Sequence, residues 1–324
     1  MHYIDLHCDT VMPLWEDIPG KNLLSNTTAS VDLQRLQRGG AMAQFFAIFL
    51  LTESAYTRLG RPRVSDDDYI SEMIRMVKKA AESAPDRLAM AYNAADLQQN
   101  FEAGKVSAFL TIEDGRSVTS LEKLRQYHQQ GIRLISLTWN YENCLAFPNS
   151  LDPEVMEKGL KPLGFEVVAE MERLGMIVDT SHLSDGGFAD LAAVAKKPFI
   201  ASHSNPRAIS PHQRNLTDEQ LRILAEHGGV AGLNFAPGFL SADTQNQRSS
   251  IELLVKNLDY MRNIGGEDLV ALGSDFDGIQ GDLEIDSADK MPLLFQALEK
   301  DGWTARQIEK FAWRNALRVI EAVM

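Results

Sequence analysis

Cysteine is scarce: the 324-residue chain holds two, Cys8 and Cys144. Two thiols cannot build a disulfide framework, which excludes a small stapled secreted fold and gives no sign of an oxidising compartment. No apolar run reaches the roughly 18 residues that a membrane-spanning helix needs. The opening Met1-His2-Tyr3-Ile4-Asp5 lacks the basic-then-apolar order of a signal peptide, and the last residues carry no lipidation box or anchor tail. Positive charge is in deficit, with 32 Lys plus Arg against 45 Asp plus Glu and a net charge of −13. Such a surface repels phosphate backbones and anionic lipid, so neither nucleic acid nor membrane is an expected partner. Linkers rich in Pro, Gly or Ser are missing, as are internal repeats. These absences leave a cytoplasmic globular protein as the expectation. At 44% apolar and 24% charged residues the composition is ordinary for one.

The length is about twice that of a usual domain, which suits two domains or one large α/β barrel. Short runs rich in β-branched and aromatic residues alternate with segments of helical period. Strands are expected at Tyr3–Asp9, Met42–Leu50, Ser107–Glu113, Arg133–Trp139, Met176–His182, Pro198–His203, Val230–Phe235 and Val270–Asp275. Most are continuously apolar, as strands of a parallel sheet buried on both faces are. Amphipathic helices are expected at Asp68–Ala84, Leu121–Gln130, Gly164–Leu174, Asp185–Lys197, Asp218–His227 and Ser250–Ile264, with two more near Pro292–Lys300 and Thr304–Val323. Ser184 and Thr217 stand where N-caps belong. Eight strands each followed by a helix or long connection predict a single (β/α)8 TIM barrel spanning residues 1–324, with C-terminal helices. A ninth run, Arg87–Tyr92, reads as a short extra strand. Residues 10–40 and 51–67 read as irregular loops over the barrel mouth.

The polar residues gather where those runs stop: His7 and Asp9 on the first, Glu113 on the third, His182 on the fifth, His203 on the sixth, Asp275 on the eighth. One such residue is ordinary, an N-cap or a turn former. Six at five strand ends would all point into one mouth, and burying them together is costly unless they share a cation. Imidazole and carboxylate without thiolate suit Zn²⁺, Mn²⁺, Fe²⁺ or Co²⁺, zinc being the usual choice. His7 and Asp9, two apart on a strand, can grip one ion, and Glu113 can bridge two. Cys8 should point the other way, as a small buried apolar residue.

Asp5-Leu6-His7-Cys8-Asp9, Thr111-Ile112-Glu113, Val178-Asp179-Thr180-Ser181-His182, Ser202-His203-Ser204-Asn205 and Gly273-Ser274-Asp275-Phe276-Asp277-Gly278, in that order, resemble the membrane (renal) dipeptidases. That is peptidase family M19, of the metal-dependent amidohydrolase superfamily. The resemblance implies two Zn²⁺ per chain, His7 and Asp9 on one, His182 and His203 on the other, and Glu113 bridging. It implies a dipeptidase that cleaves L,L and L,D dipeptides through a metal-bridging hydroxide, with Asp275 as general base and acid. Arg214 matches the arginine that takes the substrate carboxylate, a pairing that suits a planar guanidinium.

One departure stands out. Where many members carry an oxyanion-stabilising histidine, this chain has Trp139, which can donate one hydrogen bond but holds no charge. Asn140 or Asn143 could supply the donor instead. The alternatives are an amidohydrolase acting on a non-peptide or cyclic amide, and a non-catalytic barrel that binds metal or dipeptide. Asp277 is expected to be structural, Asp66-Asp67-Asp68 to open a helix, and the stripe Ile308, Phe311, Ala312, Asn315, Leu317 and Ile320 to pack on the barrel, with part of that helix available for a homodimer.

Overall fold

Eight short apolar runs pair edge to edge, every neighbour parallel, and close on themselves. The computed structural model describes residues 1–15, 22–26 and 28–324. The barrel strands are β1 (Tyr3–Cys8), β2 (Ala41–Phe49), β3 (Val106–Glu113), β4 (Ile132–Ser136), β5 (Ile177–Asp179), β6 (Ile200–Ala201), β7 (Val230–Leu233) and β8 (Val270–Leu272). Each pairs with the next, and β8 returns to β1 through Asp5 opposite Leu272. The longest ladder joins β2 to β3, from Ala43 opposite Ser107 to Phe49 opposite Glu113. The expected (β/α)8 barrel is therefore observed. The ninth run forms a short strand, Leu88–Met90, beside the first residues of β3.

Two apolar layers hold the barrel. Ile4, Leu6, Phe45, Phe109, Leu134, Ile177, Ile200, Val230 and Ala271 fill its interior, and the strands' other faces pack against the surrounding helices. Ser184 and Thr217 cap their helices as the sequence predicts, and Ser65, Ser120 and Ser250 do the same elsewhere, each accepting from a backbone N–H of the first turn. Helix Asp66–Ser83 opens on the three aspartates, where carboxylates suit the positive end of the helix dipole.

Three expectations need correction. Residues 10–40 and 51–67 are not wholly irregular, since Val11–Leu14, Leu33–Gly39 and Glu53–Leu59 are helical; the calls on residues 16–21 and 27 fall outside the described residues. The final helix is not continuous, because a π turn at Lys310–Arg314 separates Ala305–Glu309 from Asn315–Val323. Of its stripe Ile308, Phe311, Ala312, Asn315 and Ile320 are buried and Leu317 is half-buried; Ile320 joins Ala316, Val319 and Val323 in sealing the floor of the barrel beneath Ile4 and Leu6, and Asn315 Nδ2 donates to the carbonyls of Glu267 and Val270. The strands, finally, hold His7 and Glu113 but stop short of the other four candidate site residues. Asp9, His182, His203 and Asp275 all lie one to three residues beyond the last paired position, because the chain must turn there to aim side chains into the mouth.

Candidate active site

The turning is visible in the backbone. Among the described residues, the non-glycine positions with positive φ are Asp114 (81°), His182 (71°), Asp275 (61°) and Asp277 (68°), all just past strand ends at the mouth. Each such residue costs on the order of 1 kcal/mol, and the surrounding hydrogen bonds must offset it. The register between β1 and β2 also shifts between Asp5 and Cys8. That irregularity lets Leu6 enter the apolar interior while the adjacent His7 reaches the polar mouth, and Cys8 packs into the wall as expected.

The six residues converge. His7 Nε2 lies 3.4 Å from Asp9 Oδ2, 3.6 Å from Glu113 Oε2 and 3.9 Å from Asp275 Oδ1. Glu113 turns its other oxygen, Oε1, to His182 Nε2 at 2.8 Å and His203 Nε2 at 3.6 Å. The two last nitrogens are 3.2 Å apart, and the His7 and His203 rings stack at 3.8 Å. All six side chains are buried. Two overlapping groups, His7–Glu113–His203 and His7–Asp9–Asp275, bring ligand atoms close enough to share an ion.

These donors fit divalent cations. Both ring nitrogens of His7 and Oδ1 of Asp9 are buried without any hydrogen-bond partner, a costly arrangement for an empty pocket and the right one for ligands. Burial drives His182 down to about 4 and His203 well below the ordinary histidine range, helped at both by the Arg214 charge, so both are neutral and free to coordinate. Burial would lower His7 as well, but the carboxylates of Glu113 and Asp9 outweigh it and hold its pKa high. Burial and the Glu113 charge push Asp9 up, and burial lifts Asp275 to about 6. Three carboxylates this close need positive charge between them.

A second set of residues orients the first; of these, reading the sequence singled out Asn140, as a donor to the substrate rather than as a partner of His182. Asn140 Oδ1 lies 2.9 Å from His182 Nδ1; an amide oxygen can only accept, so the proton sits on Nδ1 and Nε2 faces the site. The backbone N–H and side-chain amide of Asn149 both donate to the carbonyl of His182, clamping its left-handed backbone. Ser202 Oγ donates to Asp179 Oδ2 at 2.7 Å and lies 2.7 Å from His203 Nδ1, which fixes that ring the same way. Asp179, wholly buried, also accepts from Ser136 Oγ and from the backbone N–H of Ser181 and of Ser202. Asp5 does similar work under His7, accepting from Gln44 and from the N–H and hydroxyl of Ser274. Asn234 Nδ2 donates to Asp275 Oδ2 at 2.8 Å, leaving Oδ1 toward the site. A polar residue inside an apolar run, as Asp5, Gln44 and Asp179 are, was the available signal.

The other candidates separate. Trp139 and Asn140 line a cavity of about 620 Å³ above the cluster, together with Asp9, Glu113, His182 and Asp275. Arg214 is buried beside His203, donating to Ser204 Oγ at 2.7 Å and to the His203 carbonyl at 3.1 Å, while its Nε has no partner. Asn143 points away, its amide committed to Asp114 and the Leu137 carbonyl, and so is no donor to the mouth. Asp277 accepts from Thr10 Oγ1 and the Ser30 N–H, tying the β8 loop to the segment after β1. Gly278 passes so near the cluster that a Cβ there would sit 2.1 Å from Asp9 Oδ2.

The family model of the membrane dipeptidases, peptidase family M19, matches residues 1–324. The chain belongs to that family. The resemblance carried by its five motifs is thus borne out, and with it a hydrolase of the metallopeptidase class. Among relatives, an uncharacterised dipeptidase of Schizosaccharomyces pombe is 33% identical over 90% of this chain and 72% of its own length. The dipeptidase tcpJ of Claviceps purpurea is 30% identical over 90% of this chain and 69% of its own. A metallopeptidase from Rhodobacter sphaeroides, solved with a phosphinate mimic of the dipeptide L-Ala-D-Ala, is 27% identical with a TM-score of 0.88, covering 100% of this chain and 99% of that one. Among the described residues, no helix of this family member is long and apolar enough to cross a membrane.

Proposed function

We propose that the protein is a zinc-dependent dipeptidase that binds two Zn²⁺ and hydrolyses dipeptides of L,L and L,D configuration. The observation that carries this reading is the convergence of five ligand-type side chains, among which His7 and Asp9 keep buried polar atoms with no partner. His7 and Asp9 would hold one ion, His182 and His203 the other, and Glu113 offers one oxygen to each side. Bound zinc would polarise the amide carbonyl and acidify the attacking water.

The remaining work falls to the chain's own residues. Asp275, anchored through Oδ2 by Asn234, takes the proton of water on Oδ1 and returns it to the departing amine. Arg214 receives the substrate carboxylate through its unpaired Nε–H and a neighbouring Nη–H. Trp139 and Asn140 form part of the wall against which the dipeptide lies. The likeness to a peptidase that accommodates an L-Ala-D-Ala mimic supports the stereochemical breadth. The free thiols of Cys8 and Cys144 suit a reducing compartment, and we place the protein in the cytoplasm.

Elemental analysis with a panel of L,L and L,D dipeptides tests this. About two zinc ions per chain are expected, with hydrolysis that chelation abolishes and that Glu113→Ala lowers at least about 10³-fold. Two ions without turnover of any dipeptide would refute the reading, as would failure to retain metal after reconstitution.

A further inference from the structure

One wall of the mouth is aromatic in a way that hydrolysis alone does not require. The Trp139 indole meets Phe49 edge-on, ring centroids 4.9 Å apart at 68°, and Tyr141 at 5.5 Å and 53°; His182 lies 6.1 Å beyond. Tyr141 is 58% exposed and lines the cavity, so its ring is open to a ligand in the mouth. Phe49 ends β2 opposite Glu113, and Trp139 and Tyr141 follow β4, so this wall rises from the β2–β4 side of the ring. Arg214 follows β6 and Phe239 follows β7, on the far side, with the guanidinium 5.9 Å from the Phe239 ring. A dipeptide whose carboxylate sits at Arg214 must cross the carboxylate-lined floor and deliver its N-terminal residue to the aromatic wall.

We infer that Phe49, Trp139 and Tyr141 form a side-chain subsite selecting dipeptides whose N-terminal residue is aromatic or large and apolar. The inference rests on the dipeptidase reading. Indole, phenyl and phenol rings offer apolar area and edges for stacking, and none of them carries a cation that could pair with an acidic side chain. Edge-on packing against Phe49 fixes the indole, so a substrate ring can stack without first ordering the wall.

The test uses the zinc-loaded protein with Phe-Ala and Ala-Ala, and with phosphinate mimics of both for binding by calorimetry. Phe-Ala should be favoured about 10-fold or more in kcat/KM, chiefly through KM, with a matching preference for its mimic. Tyr141→Ala, on an exposed loop where truncation spares the fold, should remove most of that preference while Ala-Ala turnover changes by less than about threefold, and Trp139→Leu should remove most of the preference as well. Equal handling of the two series by the wild-type chain, or a preference that both variants keep, overturns the subsite and leaves the dipeptidase reading standing. A zinc-loaded chain that neither cleaves nor binds either series removes the dipeptidase reading and the subsite with it.

Discussion

The two halves of the candidate metal site are built on one plan and finished differently. On the β5–β6 side a buried carboxylate, Asp179, gathers serine hydroxyls, and the chain of hydrogen bonds continues through Ser202 onto the ring of His203, while Asn140 holds His182. On the β1–β8 side the buried Asp5 also gathers a hydroxyl, that of Ser274, but the network ends at backbone: it fixes the Ser274 N–H and weakly that of His7. Neither ring nitrogen of His7 is engaged. The first half thus has its tautomers set before any ion arrives, and its histidines are neutral. The second half keeps a histidine whose pKa carboxylates raise, and orphaned atoms that only a cation satisfies. One side is preorganised for an ion, and the other depends on the ion to settle it.

Gly278→Ala should break the ion-dependent half most severely. Its Cβ would press on Asp9 Oδ2, and on Asp275 Oδ1 at 2.6 Å. Metal content should fall from about two ions to one, and turnover by about 100-fold or more; unchanged stoichiometry would show that the loop can yield. Ser202→Ala probes the other half. Removing the hydroxyl between Asp179 and His203 should weaken the second ion about 10- to 100-fold by competition with a chelator, while Ser274→Ala, which touches no ring, should change metal affinity little and lower thermal stability instead. If both serines behaved alike, the contrast between the halves would be lost.

The smallest effect belongs to a control outside both. Arg173 first, then Arg125, holds the Glu170 carboxyl at about 2. A depressed carboxylate stabilises the fold above its unfolded pKa, and that contribution disappears as pH falls from about 4.5 towards 2. Glu170→Gln should therefore lower Tm by roughly 2 °C at pH 7, flatten the acid limb of Tm against pH, and leave metal content unchanged.

Much of this was legible in the chain. The eight apolar runs located every barrel strand, and the polar residues closing them named all six side chains of the cluster. What the runs could not show was where pairing stops. Periodicity reports which residues are buried, and Asp179, Ser181 and His182 are all buried whether or not they lie in the sheet. The turns that carry His182 and Asp275 into the mouth depend on left-handed backbone at non-glycine residues, which no residue type announces. The groups that orient the histidines and Asp275 were hidden for a related reason: Ser202 and Asn234 look like ordinary turn residues until the strands bring their partners alongside, and Asn140, noted as a possible donor to substrate, gave no sign that it faces His182. The π turn at Lys310–Arg314 leaves the apolar stripe nearly intact, so the break in the final helix left no mark on the pattern.

The seal beneath the barrel also bears on how the protein is made. Ile4 and Leu6 leave the ribosome more than 300 residues ahead of Val319, Ile320 and Val323, whose surface covers them. A nascent chain that has not yet reached Val323 carries an open apolar floor, and the first strand must wait, shielded by other means, for the whole sequence between to be translated.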